Sequence, residues 1–268
     1  MSGPLGDLDW LTRSENRVTV LELLAAEPRE YAELQDAIGV SRVTMNRMLD
    51  DLEEHGWLVR ASRTEEHRIT PCGRLVIDEI AEALDAVATA RKLRDVQQYL
   101  PVESFDFDLR QLEDAEVVTP TRTNTVAPLK SSADLALDAD YIRVVSEYWD
   151  IIHVQAVADY LREHPESIDI QLVFLGDSLD AIAADSDMAH GFREVADRAS
   201  CKYYYHPDEW LYALSIFGEM VVLELNDGQG AVPATVISDD EEVLAWAEER
   251  FERYRNEADP LDTDVFSS

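Results

Sequence analysis

Lysine is almost missing from this chain. Of its 23 basic residues, Lys92, Lys130 and Lys202 are the lysines, against 56 acidic residues and a formal net charge of −33. Cysteine is almost missing too. Cys72 and Cys201 fall in different predicted domains, so neither a disulfide framework nor a cysteine-based metal spacing is present. No apolar run approaches the ~20 residues of a membrane span. Met1–Trp10 lacks the basic and apolar regions of a signal peptide. The expectation is a cytoplasmic protein that does not touch a membrane. Gly-x-Ser-x-Gly, the phosphate loop and His-Glu-x-x-His are all absent. No catalytic residues, cofactor or metal are therefore expected. His67 and Cys72 are close in sequence, but two ligand types alone do not make a metal site.

Hydrophobic residues make up 46% of the 268 positions, enough to fill packed cores, so the acidity does not imply disorder. The length suits about two domains at ~100–200 residues each. Acid-rich, lysine-poor surfaces resemble those of proteins from salt-loaded cytoplasms, where the Debye length is ~3 Å at 1 M salt and self-repulsion is screened. The charge is uneven. Residues 1–75 hold 9 Arg and 14 acidic residues, the remainder 14 basic and 42 acidic. Between Ala37 and Leu49, and again between Val59 and Thr64, there are two Arg and no acid.

The first of those exceptions lies in Glu33–Leu52, which reads as two helices joined by a tight turn. Leu34, Ala37 and Ile38 are apolar at helical spacing. Gly39 ends that helix, since glycine accepts the left-handed conformation without Cβ strain. Ser41 is a natural N-cap for the next helix. There Met45, Met48, Leu49 and Leu52 form the apolar stripe, leaving Arg42, Thr44, Asn46 and Arg47 to face outward near its start. Ser14 is expected to cap an earlier helix that buries Val18, Leu21, Leu24 and Ala25, and Pro28 to end it. Leu8, Trp10 and Leu11 are expected to pack from an N-terminal arm.

This stretch resembles the helix-turn-helix of winged-helix transcription regulators. The match continues through Glu53–Val59 into a wing over Arg60–Thr70, and Thr70-Pro71-Cys72-Gly73 resembles the "T-x-x-G" step that opens the family's next helix. The resemblance covers roughly residues 13–75. It implies an α+β winged domain that places the start of the second helix in a DNA major groove. Arginine can pair bidentately with guanine and asparagine with adenine, which suits Arg42, Arg47 and Asn46. Ser41 or Thr44 would bond a phosphate. Arg60, Arg63 and Arg68 would straddle the backbone or enter the minor groove.

A long helix is expected from about Pro71 to Tyr99. Ile77, Ile80, Leu84 and Val87 form a short coiled-coil-like seam on it. That seam either packs onto its own domain or makes a dimer. Beyond residue 115 the texture becomes α/β: an edge strand over Val117–Asn124, strands at Tyr141–Ser146, Ile168–Leu175, Cys201–Tyr205, Tyr212–Phe217, Glu219–Leu225 and Val232–Ile237, and a final helix carrying Val243, Ala247, Phe251 and Tyr254. This order resembles the C-terminal domain of archaeal regulators of the FilR1 type. More distantly it is similar to the sensor halves of TrmB-like regulators, which have a phospholipase-D-like sheet. The domain expectation is therefore 1–75 for DNA binding, 76–114 for a linking and dimerising segment, 115–257 for an α/β regulatory domain, and 258–268 for a flexible tail.

Phospholipase-D chemistry needs a histidine, a lysine two residues on and an aspartate five further. Here His153 is followed by Gln155 and Asp159, one position short and without the lysine. Catalysis on that motif is rejected. A ligand on an open α/β sheet would sit beyond the carboxyl ends of the strands, where Ser146, Glu147, Gly176, Asp177 and His206 lie and where Arg122 could join them. Trp149 and Trp210 are read as core or rim aromatics. Two readings stay open. One is a sequence-specific regulator on double-stranded promoter DNA, a homodimer with a small-molecule effector. The other is a winged-helix module that binds protein.

Overall fold

The computed structural model describes residues 3–61, 66–163, 168–196, 201–210, 212–229 and 231–262. The chain divides into two compact units, Met1–Val87 and Ala88–Ser268.

The first unit opens with α1 (Pro4–Thr12) and α2 (Glu15–Ala26), followed by the two-residue strand β1 (Arg29–Glu30). The N-terminal segment is thus a helix. Its Leu11 is fully buried and Trp10 stacks on His55 at 4.3 Å, but Leu8 is 43% exposed and does not join the core. Ser14 stands at the start of α2, yet its hydroxyl makes no capping bond. Next come α3 (Tyr31–Ile38) and α4 (Arg42–Glu54). Gly39 ends α3 at φ 73°, in the left-handed region open to glycine. The strands β2 (Leu58–Arg60) and β3 (Glu66–Ile69) pair antiparallel, with β1 on the far side of β3. Leu21, Leu24, Leu34, Met45, Leu49 and Leu52 form the heart of the core.

Helix α5 (Pro71–Leu93) starts on a local device. Thr70 donates from its backbone N–H to the Trp57 carbonyl (2.9 Å). Its hydroxyl donates to the Gly56 carbonyl (2.7 Å) and accepts from the Gly73 N–H (2.9 Å). The helix stops at Leu93, short of the expected Tyr99. Leu100 precedes Pro101 and adopts an extended conformation, as the proline ring demands of its neighbour. Leu93, Val96 and Leu100 instead turn into the second unit's core. In the proposed seam, Ile77 and Ile80 pack into the first unit's own core. Leu84 and Val87 are 47% and 56% exposed.

The second unit is built on β4 (Glu116–Val118), α6 (Ala127–Leu137), β5 (Tyr141–Ser146), α7 (Ile151–Glu163), β6 (Asp169–Leu175), α8 (Ser178–Ala184), α9 (Ser186–Ala196), β7 (Cys201–His206), β8 (Tyr212–Phe217), β9 (Met220–Leu225), β10 (Ala234–Ser238), α10 (Glu241–Glu257) and β11 (Asp259–Pro260). Among the described residues these strands form one mixed sheet, ordered β11-β7-β6-β5-β8-β9-β10-β4. β5, β6 and β7 are parallel, and from β5 through β8, β9, β10 and β4 the pairing is antiparallel. β6 is buried on both faces, which explains its unbroken apolar run from Leu172 to Leu175.

Period-two alternation sends each strand's residues to opposite faces. Leu214 and Ile216 join Val145, Val173, Phe251 and Tyr254 on the α10 face. Phe217 joins Ile142, Leu172 and Val154 on the α7 face. The edge strand β4 ends at Val118 instead of running to Asn124. Thr121 and Asn124 close a turn on each other just beyond Pro120, which cannot donate to a ladder. At the other edge Asp259 and Pro260 pair with Tyr205 and Tyr204, so the chain past Asp259 begins as strand. Residues 263–268 of the expected tail lie outside the described residues. No described helix is long and apolar enough to cross a membrane.

Candidate functional site

Two places carry chemistry, one in each unit. In the first, Ser41 caps α4. Its Oγ accepts from the Thr44 N–H (3.2 Å) and lies 2.9 Å from Thr44 Oγ1. The cap fixes the helix phase, so Met45, Met48, Leu49 and Leu52 point into the core. Arg42, Val43, Thr44, Asn46 and Arg47 are left exposed on the outer face. Tyr31 on α3 donates its hydroxyl to the Arg42 carbonyl (3.3 Å), holding the first turn against its neighbour.

The Arg47 side chain is 85% exposed, its Nε 3.9 Å from Asp51 Oδ2. The front of α4 is therefore cationic, and its acids, Asp50, Asp51, Glu53 and Glu54, stand behind. Val43 was missed by the sequence reading. It is 80% exposed between two outward basic residues, and its place just off the apolar stripe was the available signal.

On the hairpin, Arg60 is exposed. Arg68 pairs with Glu66 at 2.9 Å and keeps half its side chain in solvent. His67, opposite Arg60 in register, is buried. Burial, and secondly the Arg60 charge, lower its pKa, favouring the neutral ring. Arg63 lies outside the described residues.

In the second unit a cleft opens on the α7 face of the sheet. Its walls come from β5, β6, β8 and β9 below and from α7 above. Most of the lining is hydrocarbon, with Ile142, Val144, Val154, Val157, Ile170 and Leu172 prominent. Three charged residues interrupt it: Asp150, His153 and Glu224.

Asp150 caps α7, its Oδ1 accepting from the N–H groups of Ile152 (2.9 Å) and His153 (3.2 Å). Its other oxygen lies 2.5 Å from His153 Nδ1. Across the ring, His153 Nε2 is 3.1 Å from Glu224 Oε1. That pair is within ion-pair reach but off the line of a good hydrogen bond, and both atoms are buried without a hydrogen-bond partner. Glu224 itself is 9% exposed. Burial alone would lower the His153 pKa. The Glu224 charge, the hydrogen bond to Asp150 and the Asp150 charge outweigh it, and the imidazole is pushed up to about 10. The three residues can each offer a ligand atom within 4.8 Å of the others.

Of the six sequence-predicted ligand residues, Ser146 alone lines this cleft. Its hydroxyl is spent on the Tyr148 backbone. The carboxyl ends of the strands are closed by their own bonds. The Gly176 N–H donates to the His206 carbonyl (3.2 Å), and Glu147 Oε2 accepts from the Trp210 N–H (3.1 Å). Asp177 stands at the start of α8. His206 is buried, 3.8 Å from both Asp208 and Glu257. Arg122 is exposed between β4 and α6. Trp149 lines the cleft, while Trp210 packs edge-on to Tyr254.

The chain thus holds one unit with an arginine-bearing helix and a second unit with a mixed sheet and a cleft. Residues 5–92 match the family model of the HVO_A0261 N-terminal domain. Residues 125–257 match that of the methanogenesis regulatory protein FilR1, middle domain. Its first part is thus similar to the HVO_A0261 N-terminal domain and its second to the FilR1 middle domain.

No curated protein matches it. Among solved structures it is similar to TrmBL2, an archaeal chromatin protein described with a novel mode of DNA binding. The two are 17% identical over 92% of this chain and 94% of that one, with a TM-score of 0.40. It is also similar to Nuc, a phospholipase D family member from Salmonella typhimurium, at 12% identity over 55% of this chain and 99% of that one, TM-score 0.39. A third is HmgR of Pseudomonas aeruginosa, at 17% identity over 90% and 93% of the two chains, TM-score 0.26. At those scores the structural likenesses carry no functional argument.

Proposed function

We propose that this protein is a DNA-binding transcription regulator of the winged helix-turn-helix type, with α4 as recognition helix and the β2–β3 hairpin as wing. The observation that carries this reading is the exposed front of α4. In a chain of net charge −33, that surface presents Arg42, Asn46 and Arg47 with no acid between them. Arg and Asn are the side chains that pair bidentately with guanine and adenine, and Val43 suits a thymine methyl. Ser41, Thr44, Arg60, Arg63 and Arg68 would contact phosphates or the flanking groove, positioning the protein without selecting sequence. FilR1 is named a regulatory protein, which agrees.

The second unit would sense a small molecule in the α7 cleft. Two copies would associate through the exposed Leu84 and Val87 of α5, matching a two-fold operator with half-sites one helical turn apart. The acidity would suit a cytoplasm rich in salt, in which counterion release contributes little and fitted groove contacts matter more.

Exposed Val43 and Val59 favour a second reading, docking to another protein, because apolar side chains on a surface mark such sites. Binding to fragments of the gene's own upstream region in molar potassium chloride separates the two. The DNA reading expects retention of one fragment over competitor and loss on Arg47→Ala. Indifference of the protein to every fragment would favour docking.

A further inference from the structure

We propose that the α7 cleft selects a small ligand with an apolar body and a protonated amine head, the amine docking on Glu224. This rests on the reading of the second unit as a sensor and names its ligand class. Three observations support it.

The walls are mostly hydrocarbon and carry charge at Asp150, His153 and Glu224, with the hydroxyl residues Ser146, Tyr148 and Ser215 among the lining, so the ligand's body is largely apolar and its charge is confined to one group. The charges on the wall do not cancel. With His153 protonated between two carboxylates, one negative charge is left over. Asp150 is the better satisfied of the two, bonded to His153 and to two N–H groups of α7. Glu224 is nine-tenths buried, and its Oε1 meets His153 Nε2 at 3.1 Å as an ion pair without the geometry of a hydrogen bond. A buried carboxylate with spare acceptors is costly to leave so. An ammonium group would neutralise the excess and supply up to three N–H donors. A carboxylate or phosphate ligand would add a second uncompensated buried charge. A divalent cation would have to expel one proton of an imidazolium that both carboxylates stabilise, because histidine ligates as the neutral ring. An ammonium group leaves that proton in place.

The test uses the full chain in molar potassium chloride without DNA, so its outcome is independent of operator binding. Hexylamine, hexanol, hexanoate and zinc chloride are compared by thermal shift and calorimetry. Hexylamine is expected to raise the melting temperature as a ligand bound to the native state must, and hexanoate to leave it unchanged. Glu224→Gln should weaken hexylamine about tenfold or more, as expected for loss of a charge-assisted bond. Ala213→Leu, which fills the cleft from β8 without altering its charge, should abolish binding and guards against misfolding of the first variant. Equal binding of hexanoate or hexanol, no binding of hexylamine, or zinc stabilisation that Glu224→Gln removes would each overturn the proposal.

Discussion

A Cβ on Gly73 would stand 1.9 Å from the carbonyl oxygen of Trp57. That oxygen already accepts from the Thr70 N–H, so the first turn of α5 and the exit from α4 are clamped backbone to backbone. A side chain there cannot be accommodated by a rotamer change, because the clash is with main chain. Gly73→Ala should destabilise the first unit by at least the upper part of the ~1–3 kcal/mol typical of overpacking. Denaturant unfolding should show an early transition, with DNA binding lost alongside. An unshifted unfolding midpoint would refute the clamp.

Arg47, in the same unit, makes little of the fold. With its side chain 85% exposed, Arg47→Ala should leave circular dichroism and melting temperature unchanged. Binding to a specific DNA site should weaken by ~1–3 kcal/mol, the usual cost of a lost bidentate base contact. Arg68→Ala, on the hairpin, should weaken binding to all sequences similarly and lower the salt slope. Titration by fluorescence anisotropy at two salt concentrations reads both effects.

His153 contributes stability with a definite pH signature. Its pKa is raised from 6.5 to about 10 in the folded chain. A raised pKa means that the charged ring stabilises the native state fully below pH 6.5. That contribution fades as pH climbs from 6.5 and is gone above about 10. The melting-temperature gap between wild type and His153→Gln should therefore be widest in mild acid and close through the alkaline range. A gap that instead opens with rising pH would contradict the arrangement. In NMR titration the ring should still be protonated at pH 8.

Two helix starts that look alike in sequence should respond differently. Asp240 caps α10, its Oδ1 accepting from the N–H groups of Glu242 (2.9 Å) and Val243 (3.1 Å). Ser14 makes no such bond at α2. Asp240→Ala should cost ~1 kcal/mol and Ser14→Ala distinctly less. Thermal unfolding of the two single variants decides, and equal losses would count against the contrast.

Some elements were legible because their signals are local. The stripe Met45, Met48, Leu49 and Leu52 has helical period, Gly39 and Ser41 punctuate it, and the outward set Arg42, Asn46 and Arg47 follows from that phase alone. Strands β5 and β8 match their expected bounds residue for residue, because apolar runs bounded by turn residues locate themselves. The end of α5 was misplaced. Leu93 and Val96 read equally well as a continuing helix until a second core claims them.

The outward face of α4 and the mixed α/β character were thus determined by the sequence itself, since periodicity, capping and punctuation act over a few residues. The cleft was decided by tertiary structure alone. Asp150 and His153 are near neighbours in the chain, but Glu224 reaches them only because β9 pairs with β8 and β8 with β5, which places Glu224 on the face that α7 covers. No local pattern encodes which strands become neighbours. That is why His153 reads in sequence as the remnant of a lost motif and in the fold as the centre of a buried charge cluster.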